Sequence, residues 1–284
     1  METTAAVHST NATPAPARGV RSRRRWFEFQ QPLRTPTRLA LAAVALGLLL
    51  GAWQFFPRSS QMETLLPPPS RVVETLVELF TEKSFLADIG QSLRRVFVSF
   101  GLAVTVALPL GLLMGAFPTV EGFVNPIVSP FRYLPAPSFI PLLLAWFGTG
   151  DEQKIALLFI GVVWFLVSLL MDDTKRVPID LIEVARTLGA GRVRVLLTIV
   201  LPCALPAFVD TIRQMLAVSW TYLVIAEIVA ATDGIGAVMM RARRLVRMDI
   251  IMAGILTIGA LGFLCDGLLR SIRWWAFPYL RLTR

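Results

Sequence analysis

Few residues in this 284-residue sequence have the types and spacing that catalysis needs. His8 is the single histidine and lies in a polar N-terminal tail, which argues against a nucleophile–histidine–acid set and against a histidine–cysteine metal site. No Gly-Lys pair occurs, so the glycine-rich loop that holds the phosphates of a bound nucleotide is absent. The sequence therefore predicts a chain without catalytic residues or metal, which cannot hydrolyse ATP itself.

Ionisable and aromatic residues within an apolar segment are the other candidates, because an unpaired charge in lipid costs several kcal/mol. Arg213 either lines a translocation path and attracts an anion, or pairs with Asp210 three residues earlier. Glu227 either gates that path or braces a dimer seam. Trp220 and Tyr222 either contact a solute or pack between helices.

The composition indicates a polytopic membrane protein. Hydrophobic residues make up 55% of the sequence and charged residues only 17%, against about 25% charged in a soluble domain. Mean hydropathy is +0.64, and the apolar residues are concentrated in runs. Cys203 and Cys265 are the only cysteines, so a disulfide scaffold is excluded.

Six apolar segments are candidates to cross a bilayer, for which a helix needs about 20 residues. Backbone groups find no water in lipid, so segments of this length and apolarity must be helices, and we expect an all-α fold. Prolines 135, 137 and 141 predict that the third span is kinked and begins earlier, near Gly122. The segments are Leu39–Phe56, Val96–Phe117, Tyr133–Gly150, Ile155–Met171, Cys203–Ala231 and Ile250–Cys265.

Lys and Arg in the connecting segments predict the orientation. Segments 1–38, 118–132, 172–202 and 266–284 carry more basic residues than those between them, which predicts that both termini are cytoplasmic. The net charge is +9, and we interpret the arginines of the tail, which we expect to be disordered, as residues that keep the N-terminus on the cytoplasmic side. They would contact anionic lipid and not nucleic acid. The predicted order is a basic tail (1–38), a first span (39–56), an outer segment (57–95), a core (96–270) and a cytoplasmic tail (271–284).

The outer segment 57–95 contains a predicted amphipathic helix. Ser70 follows three prolines and is placed to cap it. Its apolar face would lie on the membrane surface or on a neighbouring helix. That face consists of Val72, Val73, Leu76, Leu79 and Phe80.

The inner loop 172–202 has the pattern of two short helices joined by a glycine turn. Pro178 suits a first helical turn, and Gly189 and Gly191 permit a sharp bend. Pro202 is predicted to end the second helix and begin the next span. A unit of this shape fits a groove on another protein, although a surface hairpin without a partner remains the alternative.

The same loop carries a motif. Glu183-Val184-Ala185, three residues, Gly189, nine residues and Ile199-Val200-Leu201-Pro202 resemble the Glu-Ala-Ala, Gly, Ile-x-Leu-Pro signature of binding-protein-dependent ABC importer permeases. The sequence departs from that signature only at Val184. Over roughly 60–284 it is most similar to the nitrate/sulfonate/taurine permeases. The residues that carry this similarity are Leu66-Pro67-Pro68-Pro69, Ile140-Pro141-Leu142 with Trp146-Phe147-Gly148, and Ala226-Glu227 with Gly234-Ile235-Gly236.

The resemblance implies a type I importer permease in the bacterial inner membrane. Such permeases pair, often as homodimers, with two ATPase subunits that bind ATP-Mg, and a periplasmic or lipid-anchored binding protein delivers the solute. The loop would dock in a cleft of the ATPase, with Glu183 in polar contact, Ala185 keeping the docking face small, Gly189 bending the chain and Pro202 fixing the join to the fifth span.

Import of a small anion (a sulfonate, taurine or nitrate) is the function that follows from this resemblance. A permease for bicarbonate, a vitamin precursor or another small metabolite is an alternative. A secondary transporter driven by an ion gradient is an alternative of another class, but it would need internal repeats or more buried carboxylates, and neither is evident.

Four arginines lie in the segment predicted to be outside, after Gly234-Ile235-Gly236, against the charge rule. Like charges that are close together attract anions, which suits either an anionic solute or an acidic surface of the binding protein. The alternative is a solvated or lipid-headgroup face. The four are Arg241, Arg243, Arg244 and Arg247.

Overall fold

The computed structural model describes residues 35–55, 60–81 and 83–281, and every regular element in these residues is a helix. The predicted all-α fold is therefore confirmed. His8 and most of the predicted tail fall in 1–34, outside the described residues. The chain divides into two compact units, one ending at Leu49 and one beginning at Leu50.

The first unit contains most of α1 (Thr35–Phe55), which has no buried residue. The second unit holds the remaining helices. They are α2 (Ser60–Leu65), α3 (Pro69–Thr81), α4 (Lys83–Ala116), α5 (Pro118–Phe131), α6 (Ile140–Phe147), α7 (Asp151–Lys175), α8 (Ile179–Thr187), α9 (Arg192–Val195), α10 (Leu201–Val229), α11 (Ile235–Arg244) and α12 (Met248–Ala276), with 3-10 turns at Ala136–Phe139 and Pro278–Arg281 and a π turn at Leu196–Val200.

Among the described residues, five helices are long and apolar enough to cross a membrane, and there are six spans if a bent pair of helices counts as one. In that pair Pro118–Phe131 and Ala136–Phe147 meet at 83°. Pro135 is extended at the break, with ψ at 117°, and Pro135 and Pro137 have no N–H with which to continue the hydrogen bonds of a helix. The predicted kink in the third span is thus a full break.

The fifth span differs from its prediction. We expected Pro202 to end one helix and start another, but the chain is helical from Arg192 to Val229. The π turn explains this, because Leu201 N–H bonds to the carbonyl of Leu196, five residues back, just before the proline that has no N–H to donate. The second half of the inner loop, from Arg192, and the fifth span are therefore joined by continuous helix.

The segment 57–95 also differs from its prediction. The helix α4 begins at Lys83, so residues 83–95 extend the second span and are not a connecting loop. The helix α3 begins at Pro69, which places Ser70 inside the helix and not at its cap. Val72 and Leu79 are buried, whereas Val73 and Phe80 are exposed. The buried side packs against α12, where Thr75 donates a 3.1 Å hydrogen bond to Asp249.

The packing of α4 along α7 forms the centre of the second unit. Small residues recur every fourth position on one side of α4, namely Ala103, Ala107, Gly111 and Gly115. The missing side chains let the two backbones approach closely, as is common between helices in membranes. A Cβ atom at Gly111 would lie only 2.6 Å from the Cβ of Leu170 on α7.

We predict that Gly111→Ala lowers the thermal stability of the purified protein in detergent, because overpacking a tight contact costs about 1–3 kcal/mol. Gly101→Ala is the matched control, since it lies in the same helix with nothing within 4 Å of its added Cβ. Scanning fluorimetry should show a lower Tm for Gly111→Ala only. Equal melting of the two variants would contradict the proposed packing.

Candidate functional site

The predicted bend between α8 and α9 is present. Gly189 has φ at +84°, a left-handed conformation that glycine adopts without steric cost. Its N–H bonds to the carbonyl of Arg186, and the N–H of Ala190 bonds to the carbonyl of Ala185, both at 3.0 Å. These two bonds form a Schellman motif, which ends α8 and turns the chain.

The loop exposes apolar side chains outside the spans. Leu188, at the turn, is 83% exposed, and Val184 and the carboxylate of Glu183 are exposed beside it. A contiguous exposed apolar patch marks an interaction site. We name this patch the α8 face; its apolar members are Ile179, Leu181, Val184 and Leu188.

The other motif residues support the loop from within. Ala185 is only 7% exposed and lies in the main hydrophobic core. Ala185 therefore packs α8 against this core, and its expected effect of keeping a docking face small stays a prediction. Ile199 and Leu201 are half-buried against the same core, and Pro202 is exposed at the start of α10.

At the other end of α7, a buried arginine joins four elements. The side chains of Arg95 on α4 and Glu227 on α10 are both fully buried and lie 2.8 Å apart. Arg95 also donates to Asp151, the first residue of α7, through Nε at 2.8 Å. A third bond reaches the backbone carbonyl of Asp233, between α10 and α11, at 3.1 Å, and Nη2 pairs with the Asp233 carboxylate.

Further polar groups complete this cluster. Glu227 accepts hydrogen bonds from Ser92 Oγ at 2.7 Å and from the Gly236 N–H at 2.8 Å. The buried Lys154 lies 3.1 Å from the Asp233 carboxylate. We call this set, Arg95, Asp151, Lys154, Glu227 and Asp233, the Arg95 network.

The cations of the Arg95 network lower the pKa of the Asp233 carboxyl. Partial burial raises the pKa of this carboxyl, but hydrogen bonds from Arg95, Thr232 and Lys154 outweigh burial and hold the pKa well below its usual range. Asp233 is therefore ionised at neutral pH and pairs with both cations.

Two glycines let the chain wrap the Glu227 carboxylate. Gly234 has φ at +94°, and its N–H donates to Asp88 at 2.7 Å. At Gly236 a Cβ would lie 2.6 Å from the Cβ of Glu227. The Gly234-Ile235-Gly236 segment is thus the tight turn that brings backbone donors onto a buried carboxylate.

The predicted path residues lie in several places. Glu227 is fully buried and braces helices within one chain, and its role at a gate or a dimer seam stays a prediction. Arg213 pairs with Asp266 of α12 at 3.3 Å and lies 3.9 Å from Asp210, which supports the pairing interpretation and not the path. Trp220 is buried beside Gly262 of α12, and the Tyr222 ring packs against Gly161 of α7. Both aromatic residues therefore pack between helices.

Of the four arginines in and after α11, two form ion pairs with aspartates among the described residues and two do not. Arg241 forms an ion pair with Asp88 at 3.2 Å, and Arg247 pairs with Asp249 at 2.8 Å. The hydrogen bonds that Arg247 donates to the Asp249 carboxylate raise the pKa of Arg247. Arg243 and Arg244 are exposed and have no acidic partner within the described part of the chain.

The sequence analysis missed the centre of the network, because Arg95 was counted as a loop residue. A signal was present in the spacing of polar residues around it. Asp88, Ser92, Arg95 and Ser99 repeat at intervals of four, three and four, which places them on one side of a helix. All four are buried.

The helix arrangement is that of ABC importer permeases. A solved inward-facing structure of the MetNI methionine ABC transporter aligns with a TM-score of 0.56 at 22% identity, covering 66% of this chain and 96% of that one. A bacterial alginate ABC transporter, solved with an alginate-pentasaccharide-bound periplasmic protein, aligns with a TM-score of 0.56 at 16% identity, covering 84% and 94%.

Sequence comparison identifies the family. Residues 107–273 match the model described as binding-protein-dependent transport system inner membrane component. The taurine transport system permease protein TauC of Escherichia coli is 32% identical over 255 residues, covering 88% of this chain and 92% of TauC. The putative aliphatic sulfonates permease SsuC of Bacillus subtilis is 29% identical, with 80% and 84% covered, and the nitrate import permease NrtB of a Synechocystis species is 28% identical, with 79% and 84% covered.

This chain belongs to the family of binding-protein-dependent transport system inner membrane components. It is a multi-pass permease of an ABC importer, and the predicted family is confirmed. Permeases of this family normally carry no catalytic site of their own.

We predict that Arg95→Gln strongly destabilises the protein, because removing one partner of a buried ion pair costs about 3–5 kcal/mol. Arg94→Gln is the matched control, since the Arg94 side chain is 64% exposed and also pairs with Asp151. Tm in detergent should fall much further for Arg95→Gln. The double variant Arg95→Met/Glu227→Met should lose less than the sum of its single variants; additive losses would count against a direct pair.

Proposed function

We propose that this permease imports a small oxyanion of the sulfonate, taurine or nitrate type. The support is similarity to relatives whose names carry these solutes, over about four fifths or more of the chain. Bicarbonate, a vitamin precursor or another small metabolite would be carried by the same architecture.

The α8 face docks in a cleft of the ATPase subunit, where ATP-Mg is hydrolysed. Its exposed apolar side chains support this proposal, because they lie outside the spans and nothing in the described chain covers them. Glu183 supplies a polar contact at the edge of the face. Two ATPase copies act on two permease copies, which form a homodimer.

The end of the bundle that carries α8 faces the cytoplasm. The basic residues of this loop support that orientation through the positive-inside rule, since Arg176, Arg186, Arg192 and Arg194 are all exposed. Both chain termini are then cytoplasmic. The Arg95 network lies toward the periplasm, because α7 runs 25 residues, roughly 37 Å, between the two ends.

The solute-binding protein, periplasmic or lipid-anchored, docks at the periplasmic end beside α11. The pair Arg243 and Arg244 supports this site, because both guanidinium groups are exposed and unpaired within the described residues. Exposed Leu245 and Val246 adjoin them. A binding protein with an acidic rim would match this surface.

We predict that Gly189→Val uncouples the importer. A branched residue in the left-handed conformation costs about 1–2 kcal/mol or more, which distorts the α8 face. Gly191→Val is the matched control, because Gly191 is also exposed with open space around it but has φ at −69°. Co-purified ATPase and solute uptake into proteoliposomes should both fall about tenfold for Gly189→Val. Equal retention and uptake in the two variants would refute docking through this bend.

We predict that Arg244→Glu weakens the binding protein's affinity for the assembled importer by roughly three- to tenfold, and more at low salt, because the lost attraction is screened by ions. Arg71→Glu is the control, since Arg71 is exposed on α3 near the same end. Biolayer interferometry on importers in nanodiscs at two salt concentrations measures the effect. An identical loss in both variants would assign it to overall charge and not to this site.

A further inference from the structure

The broken third span carries a polar stripe that the functions above leave unexplained. Glu121, Asn125, Ser129 and Arg132 follow one another at intervals of four, four and three residues. At 3.6 residues per turn they fall within about 80° of one another. The opposite side of α5 is apolar and exposed, with Phe123 at 79%. The helix is therefore polar on one side and apolar on the other at a position where its sequence crosses lipid.

The stripe borders an open surface groove, whose lining residues all belong to α5: Pro118, Glu121, Gly122, Asn125, Pro126 and Ser129. Arg132 adjoins the Ser129 end of this groove, because its Nη2 lies 3.5 Å from the Ser129 hydroxyl.

The break in the span lies near the middle of the bundle. The Phe131 ring packs on the Trp164 ring with centroids 4.8 Å apart. Trp164 is 13 residues from the start of α7 and 11 from its end, so it lies roughly 16–20 Å from each. Irregular backbone at this depth is tolerated where it is buried in protein or lines a water-filled cavity, and broken spans hold substrate sites in other transporters.

The charges along the stripe are unevenly satisfied. Glu121 pairs with Lys175 at 2.6 Å, so the carboxylate at the Lys175 end is neutralised. Arg132 has no carboxylate within ion-pair distance among the described residues, and its Nε has no acceptor. Its other neighbours are Ser129 and the Tyr133 ring, 5.9 Å away. An unpaired cation at this depth is costly, so a ligand that supplies negative charge would be bound there.

We propose that Arg132 is the anion-binding residue of the translocation path. Its guanidinium group receives the sulfonate, nitrate or carboxylate end of the solute, because a planar fork of N–H donors matches such oxygens. Ser129 and Asn125 donate further hydrogen bonds as the solute moves along the stripe toward the Glu121–Lys175 pair. This assignment rests on the proposed import of an oxyanion.

The first test uses the complete importer in proteoliposomes, with labelled taurine and labelled nitrate as probes. Arg132→Gln should lower ATP-driven uptake at least tenfold, and Arg132→Lys should retain an intermediate rate because it keeps the charge but loses the fork. Arg270→Gln is the control, since Arg270 is exposed on α12 and only weakly paired at 3.7 Å. Co-purified ATPase should be unchanged in all three variants.

The second test does not depend on transport. In a background with Cys203 and Cys265 replaced by serine, Ser129→Cys is labelled with an anionic and with a cationic methanethiosulfonate reagent. Ser129→Cys should react faster than Phe123→Cys, which lies on the apolar side of the same helix. Millimolar taurine or nitrate should slow the labelling of Ser129→Cys, and adding Arg132→Gln should abolish this protection and lower the ratio of anionic to cationic labelling rates about tenfold. A purely structural role of Arg132 would not produce protection by the anion.

The outcomes separate the two proposals. If the unmodified importer moves neither taurine nor nitrate, the proposed solute class fails, and the labelling ratio alone decides the role of Arg132. If the unmodified importer moves either anion but Arg132→Gln transports normally, the Arg132 assignment is overturned. An unchanged labelling ratio, or faster labelling of Phe123→Cys, also overturns it.

Discussion

The structure at the Asp151 end of the helix bundle depends on the ion pair between Arg95 and Glu227. The helix α7 runs from Asp151 to Lys175, and the two ends of the bundle are named after these residues. Both side chains of the ion pair are fully buried, and burying either charge without its partner would cost free energy. Separation of α4 from α10 would therefore leave an unpaired buried charge. Asp151 and Asp233 attach the start of α7 and the α10–α11 turn to the same guanidinium group. One arginine therefore fixes the ends of two spans and the turn that follows them.

The Lys175 end is held differently. Its ion pairs include Lys175 with Glu121, Arg176 with Asp173, Arg213 with Asp266 and Arg273 with Asp210. Each of these pairs has a side chain that is at least one third exposed, and exposed pairs contribute at most about 1 kcal/mol. The Asp151 end therefore holds a fully buried ion pair, whereas the ion pairs of the Lys175 end are partly open to solvent.

Periodicity and composition predict much of this fold, and distant pairings explain what they miss. The spans follow from apolar runs long enough to cross lipid, and the bend at Gly189 follows from local backbone chemistry. Arg95 was misassigned because its partners lie 56 to 138 residues away, and only the fold shows that a charge at a span boundary is paired. The continuous helix through Pro202 depends on a π turn, for which a proline in sequence gives no signal.

The distribution of partners among the buried cations also constrains how a solute can pass. Arg95, Lys154 and Arg213 each lie within 3.5 Å of at least one carboxylate, so a passing anion would have to displace that carboxylate to bind them. Within the described residues, the Arg132 side chain contacts a hydroxyl group at 3.5 Å and the face of an aromatic ring, neither of which competes with an anion. A transport site must bind strongly enough to be entered and weakly enough to be left. A partly exposed arginine followed by neutral serine and asparagine donors meets both requirements, because attraction is greatest at the break and decreases along the stripe toward the neutralised Glu121.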